Sequence, residues 1–402
     1  MPNHKYSRTL SITVALLMLT AAPRLRAQAN VIYSFGGYST DGETPYTTYL
    51  LADSAGNLYG TTTESISSGG TVFELSPQTL GGWSEQIIAY LSSPQSNLVM
   101  DGAGNIYGVD TFGGDYRYGD VFELSPLGAT WNLTLLHSFR PNGHDGIFPE
   151  SGLIMDAAGN LYGVTSTGGS SNEGTVFEIT KGSGGTWTEK ILHNFSNDGT
   201  DGINPNGILA MDASGNLYGT AYNGGTWGVG IVFELTSNSG WSETILHAFT
   251  YTGTAPMDGA NPNANVIFFN GNLYGTTYEG GPHNNGTVFQ LIHHGNGTWS
   301  ESVIHAFNQN GIDGATPRAG LALVDGTLYG TTSAGGSAYA GTVFGLSHHG
   351  TAWTESYLYS FPEAGTGAEF PSGGLILYSD GNLYGTAQGG ANGVGSVYEI
   401  AP

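Results

Sequence analysis

Leu161-Tyr162-Gly163-Val164-Thr165 and Thr175-Val176-Phe177-Glu178-Ile179, separated by a loop that opens with Gly168-Gly169, carry the reading that decides the fold. Both runs are short, apolar and β-prone, and the glycine-rich polar residues between them mark a connection. Upstream, residues 152–156 form another short apolar run, and Asp156-Ala157-Ala158-Gly159-Asn160 reads as a turn whose Gly adopts positive φ. Downstream, Trp187 opens a fourth strand that ends Ile191-Leu192-His193-Asn194-Phe195. One unit is therefore four strands, and no segment in it keeps a helical period.

The unit recurs. Gly-Asn-Leu-Tyr-Gly or a close variant begins at Gly56, Gly104, Gly159, Gly215, Gly271, Gly326 and Gly381, about 55 residues apart with the first interval shorter. That spacing is too long for a helical hairpin and suits four short strands. The ends of the chain separate a closed ring from an open stack. Val31-Ile32-Tyr33-Ser34-Phe35 matches a fourth strand, as in residues 135–139 and 245–249, while the last unit stops at Val397-Tyr398-Glu399-Ile400, which matches a third. An orphan at the start and a vacancy at the end complete one another only in a ring, which also removes exposed sheet edges. The expected fold is all-β, a seven-bladed β-propeller of four-stranded blades whose last blade is completed by the N-terminal strand. Gly60, Gly163, Gly219, Gly275, Gly330 and Gly385 lie within second strands, where Gly weakens a sheet unless another group approaches closely. The recurring Phe73, Phe122, Phe177, Phe233, Phe289, Phe344 and Tyr398 are the expected rings, each reaching across from a neighbouring blade.

Composition limits the function. The 402 residues include 66 Gly, no Cys, and 9 Lys+Arg against 32 Asp+Glu, for a net charge of -23. So few cations argue against nucleic acid and against an acidic membrane surface. The first thirty residues run from His4, Lys5 and Arg8 through an apolar stretch to Ala27-Gln28-Ala29, the order of a secretory signal. Residues 1–29 are read as a signal peptide and 30–402 as the propeller, a monomer without a membrane span, secreted, periplasmic or at the cell surface. Without Cys, no disulfide holds it together.

The repeated Leu-Tyr-Gly-Thr-Thr, Gly-Gly, Gly-Thr-Val-Phe-Glu-Leu, Trp and Leu-His-x-Phe elements resemble the GloVer tandem-repeat family of exported bacterial proteins over roughly residues 31 to 402. The resemblance implies a β-propeller and no agreed activity. More loosely, the glycine pair followed by a strand and Trp is similar to kelch repeats.

The loops between blades carry Asp-Gly-x-x-Pro at Asp41, Asp145, Asp201, Asp258 and Asp313; the second blade is instead preceded by Ser92-Ser93-Pro94, and the seventh has Gly367. Five carboxylates on one face suit cations or hydroxyl-rich ligands, but Asp-Gly is also a turn signal by itself, and the capped turn is the preferred reading. No cofactor is expected. The nearest approach to a calcium loop, residues 197–202, has too few assured oxygen ligands. His137, His193, His247 and His305 fall in fourth strands of different blades, too far apart to share a metal, and are read as structural. Third-strand Glu74, Glu123, Glu178, Glu234 and Glu399 read as hydrogen-bonding residues of the sheet.

Departures from the repeat are the better pointers to function. Between second and third strands, most blades show only Gly, Ser, Ala and Asn, but the second has Tyr116, Arg117 and Tyr118, the fourth Trp227, the fifth His283 and the sixth Tyr339. Exposed rings stack on sugars or seat a protein, and Arg supplies a planar fork for oxygen ligands; packing of the rings against their own loops is the competing reading. The expected function is an exported, non-catalytic binding propeller holding an extracellular glycan or protein on its loop face. The alternatives are a polysaccharide lyase or hydrolase on the same scaffold and a structural envelope protein.

Overall fold

Each element of the Gly-Asn-Leu-Tyr-Gly motif has a separate physical job in the computed structural model, which describes residues 27–36, 41–45, 49–64, 69–250, 258–295, 297–350, 352–363 and 367–402. In the third blade, Asp156 accepts hydrogen bonds from the amides of Ala158 and Asn160 (both 2.9 Å) and from Asn160 Nδ2 (2.8 Å), which closes the turn. Tyr162 then donates to both Asp156 Oδ2 and Glu178 Oε1 at 3.1 Å, tying turn, second strand and third strand together. Leu161 is fully buried. In four blades the Thr after the second Gly of the motif reaches the backbone of the next blade, as Thr220 does to the Ala264 carbonyl at 2.9 Å.

The strands follow. In the third blade they run Ile154–Met155, Leu161–Thr165, Thr175–Lys181 and Trp187–Asn194, all antiparallel. Seven such sheets form the ring. The first strand, Ala29–Ser34, pairs with the final strand, Ser396–Ile400, in the register Ala29↔Ile400 and Ser34↔Ser396, so the N-terminus supplies the outer edge of the seventh blade. Ala29 belongs to this strand, and most of the expected signal peptide, residues 1–26, lies outside the described residues. Among the described residues no helix is long and apolar enough to cross a membrane.

The second-strand glycines face rings, but from a source other than the one expected. Gly163 is the cross-strand partner of Phe177 in the same blade, and a Cβ on it would stand 2.6 Å from Phe177 Cζ. The same holds for Gly60 with Phe73 and Gly330 with Phe344. Each ring therefore folds over its own blade's glycine, because direct cross-strand neighbours are the closest side-chain pairs a sheet offers. The neighbouring blade contributes a second ring at the seam between blades. Phe139 meets Phe177, Phe195 meets Phe233 and Phe35 meets Phe73, all edge-on at 5.2 Å.

Candidate functional site

A Pro stands five or six residues before the innermost strand of each blade and opens the segment that enters it. Residues from these segments in all seven blades, among them Tyr49, Asn97, Glu150, Asn206, Asn263, Arg318 and Ser372, line one cavity of about 210 Å³. Seven blades meet only at the axis of the ring. Tyr49 closes the floor. Its hydroxyl donates to Asn265 Oδ1 at 2.7 Å, and a Cβ at Gly374 would overlap its ring. A Cβ at Gly152 would likewise collide with Asn97, whose Oδ1 is buried without a hydrogen-bond partner.

A second chamber of about 440 Å³ shares Glu150, Asn206 and Asn263 with the first and adds Ser166, Thr167, Asn204, Tyr222 and Asn223. These belong to the loops before each Pro and after each second strand, so the funnel opens on the loop face. Amides dominate its wall. Asn206 Nδ2 donates to Asn263 Oδ1 (2.8 Å), Asn223 to Asn204 (3.1 Å), and Asn261 to the Tyr222 carbonyl (3.1 Å). The charges are few and different from blade to blade. Arg318 donates to the Tyr278 hydroxyl at 3.3 Å and lies 5.1 Å from that ring. Burial raises the Glu150 carboxyl, with a hydrogen bond from Ser166 partly opposing the rise.

The loop residues singled out in the sequence stand farther out on the same face, in equivalent loops of different blades. Tyr116, Trp227 and Tyr339 are more than half exposed, and His283 is exposed as well. Tyr118 packs on Phe148 at 5.5 Å. Arg117 and Tyr339 hold φ of 60° and 59° at a position that is Gly228 in the fourth blade and Gly393 in the seventh. Bulky residues in that conformation cost energy that the loop must recover elsewhere.

The Asp loops behave differently. Asp145, Asp201 and Asp313 are buried and accept backbone hydrogen bonds from Arg140, Ser196 and Asn308, at 3.2, 2.8 and 3.0 Å. They also meet the fourth-strand histidines. His137 Nε2 lies 3.4 Å from Asp145, His193 3.5 Å from Asp201, His247 3.2 Å from Asp258 and His305 3.4 Å from Asp313. No two of the four histidines come together, but each gains a third partner from the following blade, namely Glu189, Glu243, Glu301 or Glu355. Burial and the neighbouring Asp charge push Glu189 up to about 7. At the seam between the seventh and first blades Tyr33 replaces His, donating to Asp41 at 3.4 Å and to Glu85 at 3.2 Å.

The glutamates escaped the sequence reading although a signal existed. Glu stands two residues after Trp at Glu85, Glu189, Glu243, Glu301 and Glu355, always in the blade that follows an Asp-Gly-x-x-Pro loop. Leu133 takes the place after the shortened Ser92-Ser93-Pro94 loop, and Ala29 takes it after Gly367.

Two buried acids outside the histidine clusters predict a pH response. Burial, then the charge of Asp41, pushes Glu85 up to about 8; burial, then the charge of Asp110, pushes Asp120 up to about 8. In the unfolded chain such groups lose their protons near pH 4. Between about pH 4 and pH 8 the native state therefore binds more protons, so the stability these groups contribute is complete below pH 4 and is lost as pH rises through 8. The melting temperature is expected to fall from pH 5 to pH 9, and the Glu85→Gln, Asp120→Asn double variant is expected to fall less steeply. Thermal unfolding followed by circular dichroism checks this, and an equal slope in the two proteins would refute it.

Comparisons with known proteins agree with this architecture. The Gloeobacter/Verrucomicrobia repeat family profile matches residues 88–289 and 244–402. Among curated proteins no relative matches. Virginiamycin B lyase from Staphylococcus aureus is similar in structure, with a TM-score of 0.56 at 13% identity over 94% of this chain and 99% of that one. The extracellular domain of a one-component system from B. thetaiotaomicron gives 0.55 at 13% identity, over 93% of this chain and 41% of that one. The periplasmic gluconolactonase of Pseudomonas aeruginosa gives 0.50 at 15% identity, over 86% and 95%. At these identities the likeness is one of fold alone.

Proposed function

The chain belongs to the Gloeobacter/Verrucomicrobia repeat family, and from that premise we propose that it is an exported binding propeller whose axial funnel takes a hydroxyl-rich, glycan-type ligand. The observation that carries the reading is the amide-rich funnel, in which the unpartnered Asn97 Oδ1 sits below Asn206 and Asn263. Amide side chains both donate and accept, as sugar hydroxyls do. The two chambers fall within the size range of ordinary ligand clefts, about 300–1,000 Å³ when taken together. Arg318 supplies a fork for a carboxylate or a pair of hydroxyls, and Tyr116, Trp227 and Tyr339 offer stacking faces at the rim. Export is supported by the order of charges and apolar residues before Ala29.

A glycan array followed by calorimetry tests this. Arg318→Ala and the Asn206→Ala, Asn263→Ala double variant are expected to weaken binding at least about tenfold, equivalent to roughly 1.4 kcal/mol, while Trp227→Ala reduces it less. Glycan binding that both funnel variants leave unchanged would sink the proposal. The second reading, an enzyme acting on polysaccharide, is favoured by the raised Glu150 carboxyl, which suits a general acid. Depolymerisation lost in Glu150→Gln would establish it.

A further inference from the structure

Ten carboxylates and four histidines meet in pairs and triads along the seams, well away from the axis, and binding in the funnel gives them no role. Each triad joins three separate pieces of chain: a His on the outer strand of one blade, the Asp of the loop that follows it, and a Glu on the outer strand of the next blade. The three candidate donor atoms lie within 4.8 Å of one another in every triad. The His ring is held in place by the Phe two residues on, at 4.7 Å for His137, His193 and His305 and 4.8 Å for His247. Backbone amides hold the Asp, as Ser196 (2.8 Å) and Gly202 (2.6 Å) do for Asp201. Fixed donors on rigid strands are the arrangement a metal ion needs.

The hydrogen bonds within these triads are incomplete. His137 Nε2, Asp145 Oδ1 and Glu189 Oε1 are all buried without a hydrogen-bond partner, as are His193 Nε2, Glu243 Oε1 and Glu301 Oε1, whereas His247 and His305 each hydrogen-bond their Asp, at 3.2 and 3.4 Å. The Asp145 side chain is only 6% exposed and the Asp201 side chain 9%. Buried polar atoms are normally paired, so orphans recurring in three of the four triads call for an unseen partner, and the fourth repeats the same donor geometry.

The spacing identifies the partner's class. His to Asp separations are 3.2 to 3.5 Å, and His193 to Glu243 and His305 to Glu355 are both 3.7 Å. A tetrahedral ion with bonds of about 2.0–2.2 Å to N and O donors has ligand-to-ligand edges of about 3.4 Å. Calcium fits poorly, since it wants six to eight oxygens at about 2.3–2.6 Å. Two carboxylates and one imidazole per site suit a dication with water in the fourth position.

We infer that the four His-Asp-Glu triads, His137/Asp145/Glu189, His193/Asp201/Glu243, His247/Asp258/Glu301 and His305/Asp313/Glu355, each bind one divalent ion of the zinc class that staples neighbouring blades. The chain contains its own controls. At the Tyr33 seam Asp41 Oδ1 and Glu85 Oε1 are buried without a hydrogen-bond partner as well, but a neutral phenol that donates to the other carboxylate oxygens stands where the imidazole would, so the nitrogen ligand of the centre is missing there. The two seams without Asp also lack Glu, which indicates that the Glu is there to serve the same centre as the Asp.

The test uses full-length protein stripped with a chelator, then titrated with zinc chloride at pH 7.5 and assayed for retained metal after gel filtration. Four equivalents are expected, together with a melting temperature raised by several degrees. His193→Gln should retain three and Tyr33→His five; the gain in the second variant guards against a loss caused only by misfolding. Retention of less than one equivalent, or a count that neither substitution changes, would overturn the inference and leave the triads as proton-sharing acid networks.

Discussion

Replacing Phe35 with alanine is expected to remove about 3–5 kcal/mol of stability, the usual cost of deleting a buried phenyl ring. Phe35 is fully buried and sits edge-on to Phe73 at 5.2 Å, across the seam between the last blade and the first. The corresponding pair of Phe195 and Phe233 has the same separation. The two seams differ in how they are built. The strand Trp187–Asn194 belongs to a hairpin continuous with its own blade, whereas Ala29–Ser34 is joined to the last blade only through side chains and the hydrogen bonds to Ser396–Ile400. Equal losses of packing should therefore have unequal consequences. In Phe35→Ala, hydrogen exchange is expected to accelerate at residues 396–400 well before it does at residues 175–181, and in Phe195→Ala this order should not appear. Exchange that quickens evenly around the ring in both variants would show that the closing seam is no weaker than the rest.

The second large effect is expected at a glycine. Gly163→Ala should cost about 2–3 kcal/mol by overpacking, because the added Cβ would stand 2.6 Å from Phe177 Cζ and 2.9 Å from Leu153 Cδ2. Both neighbours are fully buried and have little room to retreat. Phe177→Leu alone should also destabilise, but combined with Gly163→Ala it should recover part of the loss, with a coupling of at least about 1 kcal/mol. Gly159→Ala separates sterics from backbone conformation. It meets open space, yet its φ is +84°, so its expected cost of about 1–2 kcal/mol comes from the left-handed backbone alone, and no Phe177 substitution should relieve it. Chemical denaturation of the four variants measures all these terms. A tolerated alanine at 163 would mean that the ring does not occupy the space above it.

These two glycines show how far a repeat can be read. Gly159 was legible as a turn residue because its role depends on its own φ and on Asp156 three residues before it. Gly163 was legible as a place of close approach, but the expected ring from a neighbouring blade was in fact its own cross-strand partner, Phe177. The loop aspartates and the strand histidines were each visible in the sequence. Their meeting was not, since strand and loop were read separately and the third member of each triad lies about 50 residues further on. The axial funnel was harder still. Gln95, Glu150, Asn206, Asn263, Arg318 and Ser372 occupy one equivalent position but vary among amide, acid, cation and hydroxyl, so a search for repeated residues passes over them.

By itself the sequence determined the strand content, the number of blades and the closure of the ring. Those features arise from local patterns that recur about every 55 residues, and each copy states them again. Only the tertiary structure decided which side chains share the axis and which share a seam, because those contacts join residues from different blades, as far apart as Tyr49 and Asn265. Their proximity is set by the curvature of the whole ring, a quantity that no single repeat contains.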